Sequence, residues 1–243
     1  MAGMGEMKNV LVVTAHPGDF VWRAGGAIAL HAQAGHAVHI VCLSFGERGE
    51  SQGEWAKPGV TLEGVKASRR REAEAAAGVL GATIEFGDAG DYPLLTTPAM
   101  LDRLVATYRR LRPEFVLTHA AEDPYNLDHP TANRLAQAAR IVAQAAGHDP
   151  GPDAVYRSPQ VYMFEPHQTE MCGYVPDVLL NIDPVWEVKR RAFECLPAQT
   201  HLWEYYERVA LNRGQQASRN SGRKIARAEA YQRIFPEALD VLR

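Results

Sequence analysis

His16 and Asp19 are metal-competent side chains three residues apart, within the stretch Val10 to Gly26 that reads VLVVTAHPGDFVWRAGG. Pro17 and Gly18 turn the chain between them, so both can reach one ion. A second imidazole, His129, lies in the polar run from His119 to Thr131. Two imidazoles and one carboxylate leave positions free for water or substrate, the donor set of a catalytic zinc or a non-haem ferrous iron rather than of a structural metal. Taken alone, H-x-x-D is as well a capping or surface pair. Its place directly behind an apolar strand is what points to a ligand site.

Glu47, in the loop Ser44-Phe45-Gly46-Glu47-Arg48-Gly49-Glu50-Ser51, is either a solvated carboxylate or a base that takes a proton from a metal-activated water. His167 follows a later apolar run and has the same two readings, its unperturbed pKa near 6.5 suiting proton transfer at neutral pH. The run Arg69-Arg70-Arg71-Glu72 is a solvated helix face, or a source of one arginine that holds a substrate carboxylate through paired hydrogen bonds. His119 is ambiguous, and the other histidines read as surface or packing residues. No G-x-S-x-G elbow, G-x-G-x-x-G turn or P-loop is present.

Strands are expected at Val10 to Thr14, His36 to Leu43, Thr83 to Phe86, Phe115 to Thr118, Gln160 to Glu165 and Val178 to Ile182. Helices are expected from Trp22 to Gly35, Leu62 to Leu80, Pro98 to about Leu111, Pro130 to about Ala146, Pro184 to Leu196, Leu202 to Leu211 and Ala226 to Phe235. Gly147 to Ser158 reads as a connector, and Asn212 to Arg223 as too polar for a core. Strand and helix alternate at βα spacing, which predicts a mostly parallel sheet covered on both faces, with the loops after the strands along one edge. The chain is read as a single domain over 1–243, with the helical part from about 184 as an elaboration.

At 243 residues and 46% hydrophobic, the chain can bury one substantial core. A net charge of -3 with no extended basic face argues against a nucleic-acid binder. No apolar run reaches the roughly 20 residues that span a bilayer, and MAGMGEMKN lacks a signal-peptide core, so the expectation is a cytoplasmic protein without a membrane partner. Cys42, Cys172 and Cys195 have no C-x-x-C spacing and read as buried thiols.

AHPGDF, GERGES, the R-x-x-E-x-x-x-A-x-x-x-L-G helix from Arg69 to Gly81, D-H-P-T-A-N from Asp128, V-x-x-K-R-R-A around Lys189 and A-E-A-Y from Ala228 to Tyr231 together resemble the PIG-L/LmbE-like family of zinc-dependent de-N-acetylases. The resemblance implies a Rossmann-like three-layer α/β fold, with His16, Asp19 and His129 at the metal-ligand positions. Two departures stand out. Deacetylases read A-H-P-D-D-E, so their base falls on Gly18, and they read H-P-D-H where this chain has Asn126-Leu127-Asp128-His129. Losing a placed base costs about 10² to 10⁴ in rate, so amide hydrolysis is expected to be impaired.

The stretch HPGDFVWRAGGAIA resembles the 4-oxalomesaconate (4-carboxy-2-hydroxymuconate) hydratase branch of that family, which serves gallate and protocatechuate 4,5-cleavage catabolism. That resemblance implies a divalent metal, zinc first with ferrous iron or cobalt as alternatives. It assigns Glu47 as base and His167 as acid, and Arg48, Arg69 and Asn126 as residues that bind a small polycarboxylate substrate. It also implies a homo-oligomer. The competing readings are a deacetylase that uses Glu47 as a replacement base, and a catalytically inactive metal- or ligand-binding module.

Overall fold

The computed structural model describes residues 7–148 and 158–240. Most of the expected connector Gly147 to Ser158, and the first six residues, lie outside them. A seven-stranded sheet runs in the order β3-β2-β1-β4-β5-β7-β6. β1 (Asn9–Thr14), β2 (Ala37–Cys42), β3 (Thr83–Phe86), β4 (Phe115–Thr118) and β5 (Gln160–Phe164) pair in parallel with one another. The interior strand β1 is almost wholly buried, as a strand covered on both faces must be. The α/β class and the mostly parallel sheet are as expected.

Helices α1 (Asp19–Gln33), α3 (Leu62–Leu80) and α6 (Trp186–Glu194) contribute to one apolar cluster with β1 and β2, and α4 (Pro98–Leu111) and α5 (Asp128–Val142) to another. Their ends follow local chemistry. Thr61 and Thr97 cap α3 and α4 by accepting the Gly64 and Met100 N–H groups, and Gly81 ends α3 with φ 81°. The short α2 (Gln52–Trp55) was not expected from the sequence.

Two expectations fail in the C-terminal part. The helix foreseen from Ala226 to Phe235 is instead β7 (Ala228–Arg233), antiparallel to both β5 and β6 (Val178–Asn181). Its Ala and Glu content favours a helix locally, but Ala228 to Tyr231 are all buried between two strands, and pairing overrides propensity. The helix expected to end at Leu211 runs on to Ser221 as α7 (Trp203–Ser221), through a segment that is as polar as expected and buries only Gly214 and Ala217. A narrow stripe suffices there: Gly214 packs so closely on the chain that an added Cβ would lie 2.0 Å from the Ala226 carbonyl oxygen.

The tail is tied to the site-bearing helix α1 through Glu229, which also forms a buried ion pair with Lys189 of α6. Glu229 Oε1 accepts from Lys189 Nζ and from the Gly26 N–H, each at 2.6 Å, while Oε2 accepts from the Ala27 N–H at 2.9 Å and Tyr231 Oη at 2.6 Å. Gly26 is required by this approach, since a Cβ would stand 2.4 Å from Ile182 Cγ2. Among the described residues no helix is long and apolar enough to cross a membrane.

Candidate active site

Strand order reverses between β1 and β4, and in an open α/β sheet the crevice outside such a switch point is where ligands bind. The loop after β1 brings His16 and Asp19 there, and the loop after β4 brings His129. Asp19 is the first residue of α1, so its side chain is anchored by the helix rather than by a free loop. All three are buried, and one ligand atom from each lies within 4.8 Å of the others.

The donor chemistry fits a cation. His16 turns Nδ1 towards Asp19 Oδ2 at 3.1 Å while Nε2 meets Asp128 Oδ2 at 3.0 Å. His129 pairs Nδ1 with Asp123 Oδ2 at 2.8 Å, and its Nε2, 3.3 Å from Asp19 Oδ1, is buried without a hydrogen bond. A buried imidazole nitrogen lacking a hydrogen bond, on a ring aligned by a carboxylate, is how a metal-ligating histidine is presented. Asp128 is itself held by the N–H groups of Tyr92 and Leu94. Burial opposes the charge on Asp128 and Asp123, but His16 and His129 outweigh it and hold both carboxyls below the usual range. Burial would likewise lower His16, yet hydrogen bonds to Asp128 and Asp19 raise it to about 10. His119, left ambiguous by the sequence, stacks on His129 with ring centroids 4.1 Å apart. Burial keeps its pKa low, and its Nε2 accepts the Ala15 N–H at 2.9 Å, a packing role that fixes the β1 turn.

A cleft of about 430 Å³ opens beside the triad, lined by Asp19, Arg23, Glu50, Asn126, His129 and His167 among others. Of the five residues expected to act on water or substrate, His167 and Asn126 line it and Glu47, Arg48 and Arg69 do not. His167 is present, but burial, followed by the charges of Arg23 and His129, lowers its pKa to about 4 rather than leaving it near neutral. Asn126 is also present, though its amide is engaged: Nδ2 donates to Glu50 Oε1 at 3.0 Å and Oδ1 accepts the Asp128 N–H. Glu47 does not line the cleft. It is fully buried, one oxygen accepts from the Phe45 N–H, and the other has no partner. Glu50 lines the cleft instead, with Oε1 3.8 Å from His16 Nδ1.

Neither arginine foreseen for substrate lines the cleft. Arg69 is fully buried and bonded to Glu72 and Gln199, and Arg48 reaches back to the Asp91 carbonyl. The cleft's cation is Arg23, one turn after Asp19 on α1, its Nε 3.6 Å from Asp19 Oδ1. A single arginine inside an otherwise apolar helix start was the available sequence signal. Glu50 could have been found as the second glutamate of GERGES, because a loop offers no period from which to choose between the two.

A family model for PIG-L, GlcNAc-PI de-N-acetylase, matches residues 11–140, over half of the chain. The chain belongs to the PIG-L family. Within the family it is 56% identical, over 97% of its own length and 92% of the relative's, to a 4-oxalmesaconate hydratase of Pseudomonas putida. A diacetylchitobiose deacetylase of Thermococcus kodakarensis is 29% identical over 86% of this chain and 79% of its own. Among solved structures, the 4-carboxy-2-hydroxymuconate hydratase of P. putida superposes with a TM-score of 0.94 at 56% identity, covering 98% of this chain and all of that one. The diacetylchitobiose deacetylase of Pyrococcus horikoshii superposes at 0.79 with 21% identity, over 94% and 84% of the two chains, and shares the PIG-L fold.

Proposed function

We propose that this chain is a metal-dependent hydro-lyase that adds water across a carbon-carbon double bond of 4-carboxy-2-hydroxymuconate (4-oxalomesaconate), giving 4-carboxy-4-hydroxy-2-oxoadipate. The observation that carries the reading is full-length identity of 56% to a hydratase, joined to a site with Gly18 at the deacetylase base position and Glu50 beside the triad. The metabolic setting we propose is gallate and protocatechuate 4,5-cleavage catabolism in the cytoplasm.

His16, Asp19 and His129 would hold a divalent cation, zinc being our assignment. Such a cation lowers the pKa of a water it binds towards about 7. Glu50, held from three sides, accepts the proton of the attacking water, and the oxygen adds to one alkene carbon. His167 across the cleft delivers a proton to the neighbouring carbon. It is neutral in the free protein, and the negative charges of a bound polycarboxylate raise its pKa towards the range where it can serve as acid. Conjugation of the alkene to a carbonyl makes it electrophilic, so no amide-type oxyanion hole is needed. Arg23 replaces Arg48 and Arg69 as the residue that receives a substrate carboxylate, and Asn126 acts by bonding Glu50.

We further propose a homo-oligomer. Supporting it, Tyr125, which lines the cleft, touches Met171, and the two remain 52% and 58% exposed, surface that a second copy would cover. Light scattering of the eluting protein reads the subunit count. The function is tested by loss of the substrate's conjugated ultraviolet absorbance, which must stop on chelation and return with added metal. A metal-loaded protein that leaves the absorbance unchanged would overturn the assignment.

A further inference from the structure

Gln199 lies on the 3-10 segment Pro197–Leu202, where its backbone (φ -131°, ψ 35°) leaves the helical path and turns the side chain inward. It is 3% exposed. Its Oε1 accepts from Arg69 Nη2 at 2.8 Å, and its Nε2 donates to Glu50 Oε2 at 2.8 Å. The amide has only one workable orientation. A guanidinium donates and never accepts, so the oxygen must face Arg69, which leaves the NH₂ group for Glu50. Arg69 cannot drift, because Glu72 binds it and also accepts the Ala198 N–H at 3.2 Å, closing a ring with the segment that carries Gln199.

Glu50 is thereby held at both oxygens. Asn126 Nδ2 and Tyr92 Oη contact Oε1 at 3.0 and 3.2 Å, and among the described residues only Gln199 donates to Oε2. Gly18 adjoins the same amide. A Cβ built there would lie 2.5 Å from Gln199 Oε1 and 2.4 Å from Trp22 Nε1. Both neighbours are buried, and the amide is pinned by two hydrogen bonds, so a side chain at 18 must push one of them aside.

The geometry points to Gln199 as the positioning residue that aims Glu50 at the triad, with Gly18 required as the space it fills. The role rests on the proposed hydration with Glu50 as base. It also explains the buried R-x-x-E pair, which holds the amide and not the substrate. Restoring the deacetylase aspartate at position 18 would strike the amide before it reached any water.

The test is a double-mutant cycle on the metal-loaded enzyme, using Gln199→Ala and Glu50→Gln with 4-carboxy-2-hydroxymuconate. Misplacing a catalytic group by an ångström costs on the order of 10²-fold, so Gln199→Ala should lose about 10- to 100-fold in kcat with KM changed less than about threefold. In the Glu50→Gln background the same change should cost almost nothing. Equal loss in both backgrounds, or no loss in the first, overturns the proposal. Should Gln199→Ala fail to fold, Gly18→Ala enters the cycle in its place with the same expectations. A crystal structure of whichever variant folds gives an answer independent of turnover. A displaced Glu50 carboxylate supports the role even if the native enzyme leaves this substrate unhydrated, in which case the functional reading fails by itself. A carboxylate unmoved from its native position overturns it.

Discussion

Glu50 Oε1 stands 3.8 Å from His16 Nδ1, whereas Glu47, three residues earlier, is buried outside the cleft. Glu50→Gln is therefore expected to lower kcat by about 10² to 10⁴, the usual range for a placed general base. Glu47→Gln should stay within about tenfold of native, since loss of its charge perturbs packing and not proton transfer. Steady-state hydration by the two variants separates the glutamates, and a larger loss from Glu47→Gln would reverse the assignment.

The triad predicts ligand-linked stability. A cation bound at a thousandfold excess over its dissociation constant adds about 4 kcal/mol. Chelation should lower the melting temperature and abolish turnover together, and His129→Ala should remove the metal-dependent part of both. Calorimetry with and without chelator, alongside metal analysis, reads this directly.

His167 ties stability to pH. Its folded pKa of about 4 lies below the ordinary 6.5, so between those values the unfolded chain binds the extra proton. Stability from this group is complete above pH 6.5 and is lost as the pH falls towards 4. At pH 5 the linkage amounts to about 1–2 kcal/mol relative to pH 7. Urea midpoints of metal-free native protein should fall more over that interval than those of His167→Gln. Parallel slopes would show that the ring is not held neutral.

Arg23 is the cation that lines the cleft, so Arg23→Met should raise KM for the tricarboxylate by about 10- to 100-fold, the worth of a charge-assisted hydrogen bond. Arg23→Lys should recover part of it, because a lysine keeps the charge but not the planar fork. Initial rates against substrate concentration give the comparison. A change confined to kcat would place the arginine with Asp19 instead of with substrate.

Lys189 and Glu229 form a buried pair between α6 and β7. Lys189→Met leaves Glu229 buried opposite a methyl group and should destabilise the fold by about 3–5 kcal/mol. Chemical denaturation would measure it, and Lys189→Met with Glu229→Gln together should cost less than the single change.

Much of the frame was legible. The apolar runs that became β1 to β6 and the Gly and Thr signals at helix ends are local, and local signals survive in one dimension. Ala228 to Tyr231 were misread because Ala and Glu favour a helix until two strands flank them. The end of α7 was not legible because Gly214 and Ala217 merely extend, one residue per turn, the buried stripe that Tyr206 and Ala210 begin.

The amino-acid order by itself determined the α/β class, the His16, Asp19 and His129 constellation, and the absence of a carboxylate at Gly18. Each of these depends on residue type and short spacing. Only the tertiary structure put Glu50 and Arg23 into the lining of the cleft and left Glu47, Arg48 and Arg69 out of it, and joined Gln199 to a glutamate 149 positions away. The physical reason is direction. Sequence places a charged residue in a loop or on a helix, but only the packing around it decides which way the side chain points and what it can donate to or accept from.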